Sequence, residues 1–242
     1  MSARELDEAQ AALRRLADAA RDVIGRTVAS SAPADVLAEA SAAVERAAEL
    51  LDGYPQAMLY EGFAELSVSQ ISNDLVALGN MEHRLDENNA VYDHSPLAGR
   101  GNPLAPPIVM SIVEGEGGRR EVYGTATFSA AYEGPPSCVH GGFVAAAFDE
   151  VLGVAQNLGG RPGMTGRLTI NYRKPTPLRA PLVFRAWLDR VEGRKAFCRG
   201  TVEHEGVVTA EAEGLFISVN FAEKFAEFAK PRGLVPPAGE AG

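Results

Sequence analysis

Only two cysteines, Cys138 and Cys198, occur in the 242 residues, and neither belongs to a Cys-x-x-Cys pair or a Cys/His cluster. The sequence therefore offers no disulfide framework and no structural zinc site. Basic residues are in deficit, with 23 Lys and Arg against 32 Asp and Glu, a formal charge of −9. Binding to a polyphosphate backbone draws its affinity from counterion release by broad basic surface, so nucleic acid is not an expected partner. No run reaches the ~18 apolar residues of a membrane span. The opening MSARELDEAQ is charged where a secretory leader needs a basic stretch and then an apolar one. A cytoplasmic protein without a membrane span is expected. What is present, 46% hydrophobic and 23% charged residues, is the composition of a globular chain able to bury a core.

Two apolar stripes open the chain. Ala9, Leu13, Leu16, Ala20 and Val23 recur at helical spacing within 3–29, and Val36, Ala40, Ala43, Ala47 and Leu50 repeat the pattern after a Ser-Ser-Ala-Pro break. Gly53 and Pro55 end the second. The stripes predict an antiparallel helical hairpin over 1–53, too alanine-rich to stand alone. Residues 54–107 form a connecting segment with the character of a lid. Its 63–78 stretch suits one more helix, whereas 93–107 holds four prolines and two glycines and excludes any regular element.

From Ile108 the period changes to two. Strands are predicted over 108–113, 121–130, 165–172, 182–191, 196–204 and 207–219, with turns at Gly115 to Gly118 and at 203–206. Leu182, Phe184, Ala186 and Leu188 share one face of the fourth, and Val208, Ala210, Ala212, Gly214 and Phe216 one face of the sixth. Between the second and third strands, His140 to Leu158 is apolar nearly all round, which predicts a helix buried on most sides. Six mostly antiparallel strands wrapped around one helix make an α+β fold. The tail over 221–242 begins with a possible short helix and ends in Pro and Gly.

The start of that helix, His140-Gly141-Gly142, presents backbone N–H groups without internal partners at the positive end of the macrodipole. Glycines there allow close approach by an oxygen gaining negative charge. Asp149 and Glu150 follow within the apolar helix, where an unpaired carboxylate is costly. Small neighbours leave room for a ligand beside Asp149, although composition alone does not say which carboxylate faces it. At 1.5 Å per residue, Gly141 and Asp149 are ~12 Å apart along one helix and cannot act on one carbonyl. If both act, the carboxylate comes from a second, antiparallel copy of the helix in a two-fold dimer.

The stretch from Arg161 to Arg199 holds ten basic residues and only Asp189 and Glu192 as acids, a local charge of +8 against −17 for the remainder. A basic rim on an acidic protein suits a small phosphate-bearing molecule, while most of these charges are expected to be solvated strand-face residues. Arg173 and Lys174 stand apart, because Pro175 and Pro177 fix them where a strand leaves the sheet.

Val139-His140-Gly141-Gly142 with Asp149, followed by the strand from Met164 and Thr165 to Asn171-Tyr172-Arg173-Lys174-Pro175, resembles the hotdog-fold acyl-CoA thioesterases. These include the phenylacetyl-CoA thioesterases and the mammalian thioesterase superfamily members. The resemblance covers about 108–220 and implies a hotdog domain with an N-terminal helical extension. It implies Gly141 or Gly142 as oxyanion donor, Asp149 as general base or nucleophile, and Thr165 as the residue that places the carboxylate or the water. Asn171, Arg173 and Lys174 fall where family members contact coenzyme A, and His140 falls where a histidine orients the helix start. The expected substrate is an acyl-CoA, with coenzyme A part of it and no separate cofactor or metal. The expected assembly is a homodimer or a dimer of dimers. No Gly-x-Ser-x-Gly elbow is present, which leaves the carboxylate route to hydrolysis. An acyl-CoA-binding sensor on the same scaffold is the alternative. A hotdog hydratase ranks third, because His140 is ~13 Å from Asp149 by helical rise and such enzymes pair a histidine with the acid.

Overall fold

The structure, a computed structural model, describes residues 8–54, 93–160 and 163–219. The helix expected over 63–78, Arg161 and the tail from 221 lie outside the described residues. Helices α1 (Glu8–Val28) and α2 (Ala34–Asp52) precede strands β1 (Val109–Glu114) and β2 (Arg120–Thr127). Helix α3 (Gly141–Gln156) follows, then β3 (Gly163–Tyr172), β4 (Pro181–Glu192), β5 (Lys195–His204) and β6 (Val207–Ser218). The six strands form one antiparallel sheet in the order β1-β2-β4-β5-β6-β3. It wraps α3 as the hotdog fold requires. The second strand stops at Thr127, short of the expected 130, because Ser129 caps a single 3-10 turn over Ala130–Tyr132. Glu205 and Gly206, with φ of 50° and 75°, make the two-residue turn whose handedness matches the twist of β5 and β6.

Alternation places Leu182, Phe184 and Ala186 of β4, Cys198 and Val202 of β5, and Ala210, Ala212 and Phe216 of β6 in the core against α3. Helix α3 answers with Val144, Ala147, Phe148, Val151, Leu152 and Ala155. The Phe148 and Phe184 rings meet edge to face at 5.9 Å. Burying each large apolar side chain contributes about 1.5–3 kcal/mol. Leu152 sits against two glycines: a Cβ on Gly200 would lie 3.3 Å from it, and one on Gly214 3.2 Å. Those two residues let the helix approach the sheet.

Helix α3 is buried on most sides, as its composition predicts, but one flank is not covered. Gly142, Phe143 and Asp149 are exposed and Gly141, Ala145, Ala146, Glu150 and Gly153 only half-buried, so one flank of the helix stays open.

The N-terminal stripes also behave differently from expectation. Leu13, Leu16 and Val23 remain 41–43% exposed, and α1 docks instead through Arg14, Ala17 and Arg21. Arg14 forms a buried ion pair with Asp93, its Nε 2.9 Å from Oδ2. Arg21 donates to the carbonyls of Asn102 and Ala105 at 3.0 and 2.7 Å. Long guanidinium arms reach the polar backbone of the 93–107 segment, which an Ala/Leu stripe cannot satisfy. Helix α2 has no buried residue. Residues 93–107 contain no helix or strand and form a packed strap. Tyr132 donates its hydroxyl to the Leu104 carbonyl at 2.7 Å, and Ile108 N–H bonds to Leu97 O at 2.9 Å. No helix among the described residues is long and apolar enough to cross a membrane.

Asp93→Ala is expected to cost about 3 kcal/mol, because it removes the Asp93 carboxylate paired with the buried Arg14 charge. The double variant Arg14→Met/Asp93→Leu should recover most of that loss. Urea unfolding of the three proteins checks both statements; an unchanged midpoint for Asp93→Ala would show that the pair does not hold α1 to the strap.

Candidate active site

The loop before α3 is pinned on both sides before the helix begins. Val139 N–H bonds to Thr176 O at 2.9 Å and His140 N–H to Tyr132 O at 2.8 Å, and residues 133–139 bridge back to themselves and to Pro177. His140 is the N-cap. Its Nδ1 accepts from Gly142 N–H at 3.0 Å, which makes the neutral ring carry its proton on Nε2. His140 O accepts from Phe143 and Val144. The Gly141 carbonyl accepts the Tyr172 hydroxyl at 2.7 Å, so the end of β3 clamps the helix start. Of the two glycine amides, Gly142 is occupied by the cap, and Gly141 N–H has no protein partner among the described residues.

Asp149 lies two turns along the open flank. Thr165 Oγ1, at the beginning of β3, donates to its Oδ1 at 2.8 Å. Glu150, left unresolved against Asp149 by composition, turns to the other side and accepts from Ser95 Oγ at 2.8 Å. Burial pushes its carboxyl above the ordinary range; the Ser95 hydrogen bond opposes this and the charge of Asp149 adds to it. The two adjacent carboxylates therefore have separate surroundings, Asp149 open and tethered to β3, Glu150 half-buried and tethered to the strap.

The sequence candidates thus form two clusters within one chain: His140, Gly141 and Gly142 at the helix start, and Asp149 with Thr165 two turns later. Asn171 and Lys174 are exposed near the end of β3, on the side of the helix start. Arg173 pairs with Glu211, its Nη2 at 2.7 Å, and both its N–H and that of Lys174 bond to Thr209 O. Much of the basic segment is likewise internally paired: Arg190 with Asp189 and Glu192, Arg199 with Asp189 and Glu213, and Arg185 near Glu121. Sequence reading missed Tyr172 and Ser95. Tyr172 stood within the quoted Asn-Tyr-basic-basic-Pro run, a usable signal, whereas nothing local tied Ser95 to α3. Cys198 is buried and its thiol is pushed up to about 12 by burial, with Asp189 adding, which removes it as a nucleophile. No group of three His, Cys, Asp or Glu among the described residues is arranged to hold a metal.

Strand β3 is the sheet edge next to this site. Among the described residues it pairs with β6 only, and seven of its ten residues are exposed and the other three half-buried, with Met164 and Tyr172 at 50% and 54%. A bare ten-residue edge is a template for pairing with another strand.

A family model described as the thioesterase superfamily matches residues 137–211. Acyl-coenzyme A thioesterase THEM4 of Bos taurus is 38% identical over 90 residues, 36% of this chain and 37% of that protein. Acyl-coenzyme A thioesterase THEM5 of Homo sapiens is 30% identical over 94 residues, 38% of each. The chain thus matches under two-fifths of the length of these curated relatives. A crystal structure of a thioesterase superfamily protein overlays with a TM-score of 0.65 at 31% identity, covering 88% of this chain and 97% of that one.

The cap geometry gives a direct check by amide hydrogen exchange. Gly141 N–H should exchange freely and Gly142 N–H be protected, and His140→Ala should abolish the difference at a cost of about 1 kcal/mol in stability. Equal rates for the two amides in the unaltered protein would contradict this assignment.

Proposed function

The chain belongs to the thioesterase superfamily, and on that premise we propose that it is an acyl-CoA thioesterase, hydrolysing an acyl-CoA to a carboxylic acid and coenzyme A. The observation that carries the reading is that one open helix flank holds both a Gly141 N–H without a partner among the described residues and an Asp149 carboxylate bonded by Thr165. Hydrolysis of a thioester needs those two functions, a donor for the developing oxyanion and a base for water. The names of the curated relatives support the substrate class.

The ~12 Å of helical rise between Gly141 and Asp149 forbids a site within one protomer. A homodimer resolves this. Two β3 edges pairing across a two-fold axis would continue the sheet and bring two α3 helices together antiparallel. With Gly141 of one opposite Asp149 of the other, the axis passes near Ala145, and the small side chains of Gly142 and Ala145 permit close approach. Two equivalent sites result.

In each site the thioester oxygen meets Gly141 N–H of one protomer, and Asp149 of the other takes the proton of the attacking water. The tetrahedral intermediate holds its negative charge against the amide and the helix dipole. Its collapse breaks the C–S bond and expels the coenzyme A thiolate. His140 contributes by occupying Gly142 N–H and fixing the helix start, with Tyr172 holding the other side. Asn171, Lys174 and, where it leaves Glu211, Arg173 are the residues proposed to meet coenzyme A.

Asp149→Asn keeps an acceptor for Thr165 and should lose most turnover while still binding acyl-CoA. Gly141→Pro removes the proposed donor at a position where helices tolerate proline, and the extended His140 (φ −58°, ψ 131°) is compatible with a following proline. It should lower kcat by about 10²–10³-fold. Mixed after subunit exchange, the two inactive variants should regain about a quarter of the original activity, since each mixed dimer carries one intact site. No recovery in verified mixed dimers would refute the shared site. Ala145→Arg, at a half-exposed position, should give a folded, inactive monomer by light scattering; an active dimer would place the interface elsewhere.

A further inference from the structure

Helix α3 and the first residues of β3 are tied at two places. At one, Thr165 Oγ1 donates to Asp149 Oδ1 at 2.8 Å. At the other, Gln156 Nε2 donates to Gly163 O at 3.3 Å and to Asn157 Oδ1 at 3.1 Å. Asp149 and Gln156 are two helical turns apart, so they share a face of the helix and the ties are separated by about 10 Å of rise. Gly153, one turn after Asp149, stands between them. A Cβ built on it would meet no atom within 4 Å, and it sits inside α3 without a left-handed φ. Glycine in a helix interior is about 1 kcal/mol less favourable than alanine, and neither a close approach nor a special backbone angle accounts for it here. Gln156 adds a second unexplained feature: it is 3% exposed, and its Oε1 has no hydrogen-bond partner among the described residues. A buried acceptor without a donor is costly. Open space beside Asp149 and an amide oxygen without a donor one turn beyond that space both call for a group that these residues do not supply.

We propose that this space takes the acyl group of the substrate and that Gly153 is a specificity-determining residue, which keeps room beside Asp149 for an acyl chain of medium length. The inference rests on the acyl-CoA reading of the site. In the two-fold arrangement with its axis near Ala145, the partner subunit's helix begins opposite Asp149, so it does not run past Gly153. Asn171 and Lys174, the residues proposed to meet coenzyme A, lie beside the helix start of the protomer that supplies the oxyanion donor. A thioester carbonyl carries its sulfur and its acyl carbon on opposite sides. With the sulfur turned to those residues, the acyl carbon turns to the protomer that supplies Asp149, where the space at Gly153 lies one turn away. A six-carbon acyl chain fits within the roughly 10 Å of rise between the two ties. Laid there, it buries apolar surface that an acetyl group lacks, and a side chain at position 153 would take the same volume.

The test compares kcat/KM of the full chain for acetyl-CoA and hexanoyl-CoA in the unaltered protein, Gly153→Ala and Gly153→Leu, with light scattering to follow the assembly and thermal unfolding to follow the fold. The unaltered protein should prefer hexanoyl-CoA by about tenfold or more. Gly153→Leu should lower the hexanoyl value about 10–200-fold more than the acetyl value. Gly153→Ala should move the preference the same way by less and raise the unfolding midpoint, since the space admits a methyl group. Equal losses on the two substrates, or an unchanged preference in Gly153→Leu, overturn the proposal. So does a monomeric Gly153→Leu protein from a dimeric parent, which would show that the partner subunit fills the space. If the unaltered protein hydrolyses neither thioester, the proposed function fails instead, and calorimetric binding of two thioethers, S-ethyl-CoA and S-hexyl-CoA, decides this inference. Tighter binding of S-hexyl-CoA that Gly153→Leu removes supports it; an equal hold on both compounds, or no binding of either, sinks it.

Discussion

Leu152 pressed against Gly200 and Gly214, with Phe148 against Phe184, fixes which flank of α3 faces the sheet, and every other feature of the site follows from that seating. An α-helix has one rotational setting once its largest side chains are buried. Here the setting leaves Gly142, Ala145 and Asp149 on the open flank and aims Glu150 at the strap. It also places the helix start against Tyr172 and the second turn beyond it against Thr165, because β3 runs along the open side. The geometry of the proposed chemistry is a consequence of core packing two turns away.

The open flank and the bare β3 edge lie side by side, and both are unusual in a finished surface. Exposed strand edges invite pairing, and a helix rich in alanine and glycine on its exposed side allows close approach by another backbone. A two-fold partner would satisfy both at once, which is the sense in which the fold and the proposed mechanism depend on the same association. The ~12 Å set by helical rise makes the dependence strict.

The N-terminal region adds a second layer. Its helices carry apolar stripes, yet α1 is attached by guanidinium groups that bond the carbonyls and the carboxylate of a segment without helix or strand. Such an attachment is directional where apolar packing is not, and it delivers Ser95 to Glu150 in a defined orientation.

The strands and the central helix could be read from the sequence, because alternation and helical period are local properties of neighbouring residues. The chain order alone also fixed the separation of Gly141 from Asp149, since helical rise is constant. Local pattern could not separate Asp149 from Glu150, nor Gly141 from Gly142: adjacent residues on an apolar helix look alike until packing chooses the rotation and a cap consumes one amide. It misjudged α1, where the apolar stripe suggested the contact and Arg14 and Arg21 make it, because the partner lies about 80 residues away along the chain. Ser95, Tyr172 and the pairing of Arg173 with Glu211 were decided by tertiary structure for the same reason: each depends on a partner remote in sequence, and only the folded chain brings the two within hydrogen-bonding distance.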